Sequence, residues 1–385
     1  MKLTSNFSSS LYSKFILFVL ITVLSSCGNT KQNTSTNDSS LISSDTIISE
    51  PVSAENLIPK GQKPEWAPNI KPEMQVVMEK LASYGDKPIE SLTPQEARKN
   101  HSPTDAVMDV MKENNISAPA DNIDTAGKEI PVSGGNIHIR IYTPKSGKDS
   151  YPVIVYYHGG GFVIASIDVY DASARTLAEK VEAVVISVAY RMAPEHKFPI
   201  AHNDSFAAYQ WVIKNAASIK GDPKKIAVAG ESAGGNLAVN MAIMARDKGI
   251  SMPLHILAVY PIANSDMNTD SYQKNANAKP LNKALMAWFT KHYFNNISEA
   301  KDPRMTLVKA NLKGLPPTTI ITAEYDPLQS DGMMLADKLK EAGVSVESKN
   351  FDGVTHEFFG MGAVVPQARD AQSFAVGKLK SAFKM

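Results

Sequence analysis

Cysteine is almost absent, with one residue in 385. That excludes an internal disulfide framework and any zinc site built from several thiolates. An excess of either charge is also missing, since 40 Lys and Arg face 39 Asp and Glu. The attraction that a phosphate backbone exerts on a basic protein has nothing to act on, so no nucleic-acid partner is expected. A comfortable membrane span is lacking too: the apolar run Phe15–Leu24 has ten residues, about half of what a bilayer needs. What is present is a globular composition, 43% hydrophobic and 21% charged, which allows a substantial core. The length fits one large catalytic domain with attachments or two ordinary domains.

The apolar run follows a segment that carries Lys2 and Lys14 and no acid, the pattern of an export signal. It ends in Leu24-Ser25-Ser26-Cys27, which resembles the lipobox of bacterial lipoproteins, with a large apolar residue three before the cysteine and small residues between. The resemblance implies a signal peptide over 1–26 and a diacylated Cys27 as the new N-terminus. Acyl chains, not charge, would then anchor the chain to the cell envelope. Gly28 in place of an aspartate favours the outer membrane. Residues 27–60 are rich in Ser, Thr and Asn without a sustained apolar period and read as a flexible tether.

Residues 61–125 change to a helical pattern. Met74, Val77, Met78 and Leu81 share one face at helical spacing, and Ser91-Leu-Thr-Pro-Gln-Glu96 carries a capped helix start. Residues 126–385 alternate short β-rich runs with helix-length segments. The strands expected are Ile137–Tyr142, Val153–Tyr157, Val184–Val188, Ile226–Ala229, Ile256–Tyr260, Thr318–Ala323 and Val344–Lys349. Early strands without helices, followed by strand–helix alternation, imply a mostly parallel sheet covered on both faces, with an antiparallel edge.

Two motifs carry chemistry. Gly230-Glu-Ser232-Ala-Gly234 lies between a buried-strand run and a helix, the setting in which G-x-S-x-G presents a serine on a strained turn. The flanking glycines remove side chains that would meet the backbone there. His158-Gly159-Gly160-Gly161-Phe162 directly follows the strand Val153–Tyr157. Successive glycines let backbone amides converge on one small volume, as a tetrahedral oxyanion requires. Gly159 and Gly160, with Ala233 after the serine, supply three such donors, while His158 is expected to shape the loop locally.

A serine needs a base, and on this kind of turn the acid and then the histidine follow it in the chain. Of His255, His292 and His356, the last sits beyond the final strand in Gly353-Val-Thr-His-Glu-Phe358 and is preferred. Among Glu324, Asp326, Asp331 and Asp352, the preferred acid is Asp326, whose following proline stops a strand and opens a helix.

These segments, with Tyr190-Arg-Met-Ala-Pro-Glu-His-Lys-Phe-Pro199 and Ala323-Glu-Tyr-Asp-Pro-Leu328, resemble the hormone-sensitive-lipase-like family of α/β-hydrolases, the bacterial family IV esterases, from about Pro72 onward. The resemblance implies an α/β-hydrolase fold with a mostly parallel eight-stranded sheet and a small helical cap, formed before Ile130 and near Leu281–Phe294. It assigns Ser232 as nucleophile, Asp326 as acid, His356 as base, and Gly159, Gly160 and Ala233 as oxyanion donors. Glu231 stands where the family more often has aspartate, and Gln-Ser-Asp follows Asp326-Pro-Leu where Arg-Asp-Glu is commoner. Arg191, Glu195 and Asp204 are expected to form a structural hydrogen-bond network.

The expected activity is hydrolysis of short-chain carboxylic esters through an acyl-enzyme, with a small-molecule ester as partner and no metal or organic cofactor. A serine exopeptidase or amidase, a deacetylase of acetylated glycans and a non-catalytic small-molecule receptor are the alternatives. Met74 and Met78 are expected fillers of the acyl pocket, and the aromatics Phe162, Trp288, Phe289, Phe358 and Phe359 are candidates to line it, with ordinary core packing the alternative for each.

Overall fold

A computed structural model describes residues 57–118, 120 and 122–385. The signal segment, Cys27 and the tether up to residue 56 lie outside the described residues. Three helices come first: α1 (Pro72–Ser83), α2 (Pro94–Ala97) and α3 (Pro103–Glu113). Strands β1 (Ile123–Val132), β2 (Gly135–Pro144) and β3 (Tyr151–Tyr157) follow without a helix between them. Alternation then begins with α4 (Asp171–Val181), β4 (Val184–Ala189), α5 (Ile200–Asn215), β5 (Gly221–Glu231), α6 (Ala233–Asp247) and β6 (Ile256–Val259). The chain finishes with α7 (Asp270–Lys274), α8 (Lys283–Tyr293), β7 (Thr318–Tyr325), α9 (Gln329–Glu341), β8 (Val346–Thr355) and α10 (Pro366–Phe383).

The strands form one eight-stranded sheet in the order β1-β2-β4-β3-β5-β6-β7-β8. β1 and β2 pair antiparallel, as do β2 and β4, and every pairing from β4 to β8 is parallel. Side chains alternate between two cores because the strand period is two. Val153, Val155 and Tyr157 of β3 enter the core under α5 and α6, whereas Ile154 and Tyr156 enter the one under α1, α3, α4 and α10.

Two strand boundaries differ from the sequence expectation. β1 begins at Ile123 but buries only Ile123 and Ile130 fully. Residues 124–129 of this edge strand are exposed on both faces, so no apolar alternation arises and nothing in its sequence announces it. β8 runs on to Thr355, past a register irregularity opposite β7 and through Gly353 at φ 74°. His356 therefore leaves the strand end directly and not from a preceding loop.

Candidate active site

The parallel strands β3, β5, β7 and β8 end at Tyr157, Glu231, Tyr325 and Thr355. The next residue in each case is His158, Ser232, Asp326 or His356. All four candidate segments thus leave the carboxyl edge of one sheet, where open α/β sheets place their ligand crevices.

The turn at Ser232 is a matter of steric exclusion. Ser232 has φ 55° and ψ −115°, a conformation that costs a non-glycine residue about 1–3 kcal/mol. A Cβ on Gly230 would fall 2.2 Å from the Gly234 carbonyl oxygen, and one on Gly234 would fall 1.9 Å from the Tyr157 oxygen. Only glycine lets β5 turn into α6 against β3. The Ser232 amide donates to the Val259 carbonyl at 2.9 Å, so the strained residue is pinned. Ala233 opens α6, and its amide points from a 15-residue helix N-terminus, where the helix dipole favours negative charge.

The glycine loop is shaped in the same way. Gly160 and Gly161 have φ of 90° and 59°, and a Cβ on Gly160 would lie 2.1 Å from the Ile164 oxygen. Among the described residues, no backbone acceptor takes the amides of Gly159 or Gly160. His158 stacks on Tyr190 at 4.3 Å, and its Nδ1 pairs with the Gly159 carbonyl at 2.9 Å. Burial pushes its pKa down to about 4, so a neutral imidazole braces the loop.

On the opposite side, His356 Nδ1 lies 2.7 Å from Asp326 Oδ2. Oδ1 of the same carboxylate accepts the Leu328 amide at 2.8 Å, which fixes its orientation. Asn275, which sequence reasoning missed, supports this turn by donating to the carbonyls of Glu324 and Asp326 at 3.1 and 3.0 Å. Burial lowers the His356 pKa, but the charge and hydrogen bond of Asp326, then Glu357 and Glu231, outweigh it and raise it above the usual 6.5. Ser232 and His356 line one cleft of about 130 Å³. No hydrogen bond joins Ser232 Oγ to His356 among the described residues; contacts of this kind tighten when substrate binds.

The rival residues are occupied elsewhere. Glu324 accepts the Gly353 amide, Asp331 accepts the amides of Ala263 and Asn264, and Asp352 accepts from Asn350. His255 pairs with Thr319 Oγ1, and His292 sits on α8 against Trp288. Glu231 is sealed beneath the elbow, where the hydroxyls of Tyr156 and Tyr260 donate to its two oxygens. The longer stem thus reaches a tyrosine pair. Burial pushes the Glu231 carboxyl up to about 7, against the hydrogen bonds that lower it.

The cleft has its roof in α8 and in the segment from Ile89 to Pro103. Phe289 packs over Gly161, so closely that a Cβ there would fall 2.3 Å from the ring. Phe289 and Gly161 also wall a second cavity of about 350 Å³. Of the bulky residues named from sequence, Phe289 alone lines the catalytic cleft. Met74, Met78, Phe358 and Phe359 are buried in the core beneath the sheet, Phe162 stacks on Tyr293, and Trp288 donates to the Leu92 carbonyl. Met74 and Met78 are core because α1 packs on the body of the protein and leaves the cleft to other residues.

Thr93 caps α2 in a reciprocal box with Glu96, which delivers Arg98 to the cleft rim. Its guanidinium donates to the carbonyls of Val163 and Ala193 at 2.8 and 2.6 Å and grips both oxygens of Glu195. Arg191 holds Asp204 bidentately at 2.8 and 2.7 Å. Both pairs are structural ties between chain segments.

The glycine loop, strained serine and buried carboxylate–imidazole pair at one parallel-sheet edge define a hydrolase of the α/β type. A family profile described as alpha/beta hydrolase fold matches residues 154–360, and the chain belongs to that family. It is 42% identical to carboxylesterase NlhH of Mycobacterium tuberculosis strain H37Rv over 253 residues, 64% of this chain and 79% of the relative. Among solved structures, the hyperthermophilic esterase of Pyrobaculum calidifontis is 38% identical with a TM-score of 0.70, covering 76% of this chain and 94% of that one. A thermostable esterase from Pseudomonas putida ECU1011 is 30% identical with a TM-score of 0.76, covering 83% and 99%. The chain is a carboxylesterase-type hydrolase.

Proposed function

We propose that the protein is a serine esterase of the hormone-sensitive-lipase-like branch, acting on short acyl esters. The observation that carries this is the 2.7 Å contact between His356 Nδ1 and Asp326 Oδ2, in a cleft that Ser232 also lines. Asp326 holds the imidazole with its proton on Nδ1, leaving Nε2 to take the proton from Ser232 as Oγ attacks the ester carbonyl. The oxyanion forms against the amides of Gly159, Gly160 and Ala233. His356 returns the proton to the departing alcohol, and water, activated by the same imidazole, hydrolyses the acyl-enzyme. A cleft of about 130 Å³ lies below the range of about 300–1,000 Å³ typical of drug-sized ligands, which supports short chains.

The test is kcat/KM across p-nitrophenyl esters from acetate to palmitate at fixed detergent, with an aminoacyl-nitroanilide alongside. A maximum between about two and six carbons is expected. A maximum at twelve or more, or faster nitroanilide cleavage, defeats the reading. We propose further that Cys27 carries the acyl anchor, with the outer membrane as its site. Cys27→Ser should then abolish palmitate labelling and release the protein from membranes, and an unlabelled, soluble wild type overturns this.

A further inference from the structure

Glu357 follows the base and has φ 71° and ψ 0°, a left-handed conformation that glycine adopts freely and other residues only at a cost. Its Oε1 accepts the Tyr170 hydroxyl at 2.6 Å. Tyr170 is itself wedged against the glycine loop, since a Cβ on Gly159 would fall 2.2 Å from its hydroxyl oxygen. The carboxylate is thus held in place by a side chain 187 positions away. Oε1 lies 3.8 Å from His356 Nε2, and Glu357 lines the cleft together with Ser232 and His356. Among the described residues that line this cleft it is the one carboxylate. Among them also, Oε2 has no hydrogen-bond donor, and the Glu357 side chain keeps 20% of its surface exposed.

Position decides which half of an ester meets this group. Nδ1 of His356 is committed to Asp326, so Nε2 is the nitrogen that hands its proton to the departing oxygen. A carboxylate beside Nε2 therefore stands by the alcohol and not by the acyl chain. We propose that Glu357 selects the alcohol: the cleft favours esters whose alcohol carries a second hydroxyl a few bonds from the ester oxygen, as in a polyol or sugar, and disfavours alcohols that carry a carboxylate. A free carboxylate oxygen accepts such a hydroxyl and repels a second negative charge. The inference rests on the serine-esterase reading, and the experiment separates the two.

2-Hydroxyethyl butyrate and propyl butyrate differ by one hydroxyl against one methyl and give the same butyryl-enzyme. Their kcat/KM values report acylation, so a change in base strength affects both and largely cancels in the ratio. Burial raises the Glu357 pKa, against the charge of His356 and the hydrogen bond of Tyr170, so the ratio is read at about pH 8 to favour the ionised form. The wild type should prefer the hydroxyethyl ester by about tenfold, and Glu357→Gln should reduce that ratio by at least about threefold. Glu357→Gln should also improve hydrolysis of 2-carboxyethyl butyrate relative to the propyl ester. A wild type that favours the propyl ester, or a ratio unmoved by the substitution, overturns the proposal. If Glu357→Gln does not fold, Tyr170→Phe frees the carboxylate and should lower the same ratio, and an unchanged ratio counts against it equally. Ser232→Ala serves as the blank: turnover surviving there would remove the serine reading, whereas failure of the ratio alone removes only the role of Glu357.

Discussion

The two sides of the cleft are built by opposite means. On the nucleophile side, geometry comes from atoms that are missing: glycines at 159, 160, 230 and 234 stand where a Cβ would lie 1.9 to 2.2 Å from its nearest neighbour. On the base side it comes from polar side chains that reach across the chain, Asp326 to His356, Tyr170 to Glu357, Asn275 to two carbonyls and Glu324 to the Gly353 amide. The first is a steric constraint that one residue type satisfies. The second is a set of separate pairings, each of which can be removed while the others stay in place. The nucleophile side should accordingly fail abruptly when altered, and the base side by degrees.

Ser232→Ala probes the first side most directly and should lower kcat by about 10⁴- to 10⁶-fold with the fold intact by circular dichroism. Near-normal turnover would remove the serine from the mechanism. Asp326→Asn, on the other side, should cost about 10³- to 10⁴-fold because the amide favours the wrong imidazole tautomer. Glu324→Gln should cost far less, and a larger loss there would exchange the acid assignment. Gly234→Ala tests exclusion itself: a methyl aimed at the Tyr157 carbonyl should destabilise the fold by about 3–5 kcal/mol in urea titration. An unchanged midpoint would mean that β5 and α6 can yield.

Phe289→Ala should remove the wall between the catalytic cleft and the 350 Å³ cavity beside it, and raise kcat/KM for decanoate relative to butyrate by about tenfold. An unaltered chain-length profile would show that the two spaces stay separate. A dependence on pH is expected as well. Glu231 is held near 7 when folded against an ordinary 4.5, so the unfolded chain ionises first and stability falls as pH rises between those values. Glu231→Gln should remove a decline of about 1–3 kcal/mol from that window, read as the difference in Tm profiles between variant and wild type. Parallel profiles would mean that the tyrosine pair keeps Glu231 ionised throughout.

The same contrast explains what was legible in the amino-acid sequence. His158–Phe162 and Gly230–Gly234 could be placed because exclusion leaves local traces, and buried parallel strands such as Tyr151–Tyr157 read as continuous apolar runs. Asp326 and His356 emerged by their position at strand ends. Glu357, Tyr170, Asn275 and Arg98 did not emerge, because their partners lie between 49 and 187 residues away, or 65 to 97 for Arg98, and no periodicity encodes such a pairing. The assignment of Met74 and Met78 to the pocket failed for a related reason: an apolar helix face shows that something is covered, and cannot say whether that is a cleft or a core.

Arg98 ties the roof of the cleft to the strand-end loops with one guanidinium, through the carbonyls of Val163 and Ala193 and the carboxylate of Glu195. Val163 comes two residues after the last glycine of the amide-bearing loop. Moving the rim segment outward therefore costs the hydrogen bonds that tie it to that loop. One side chain thus joins rim and loop, so that neither can shift far without breaking a hydrogen bond to the other.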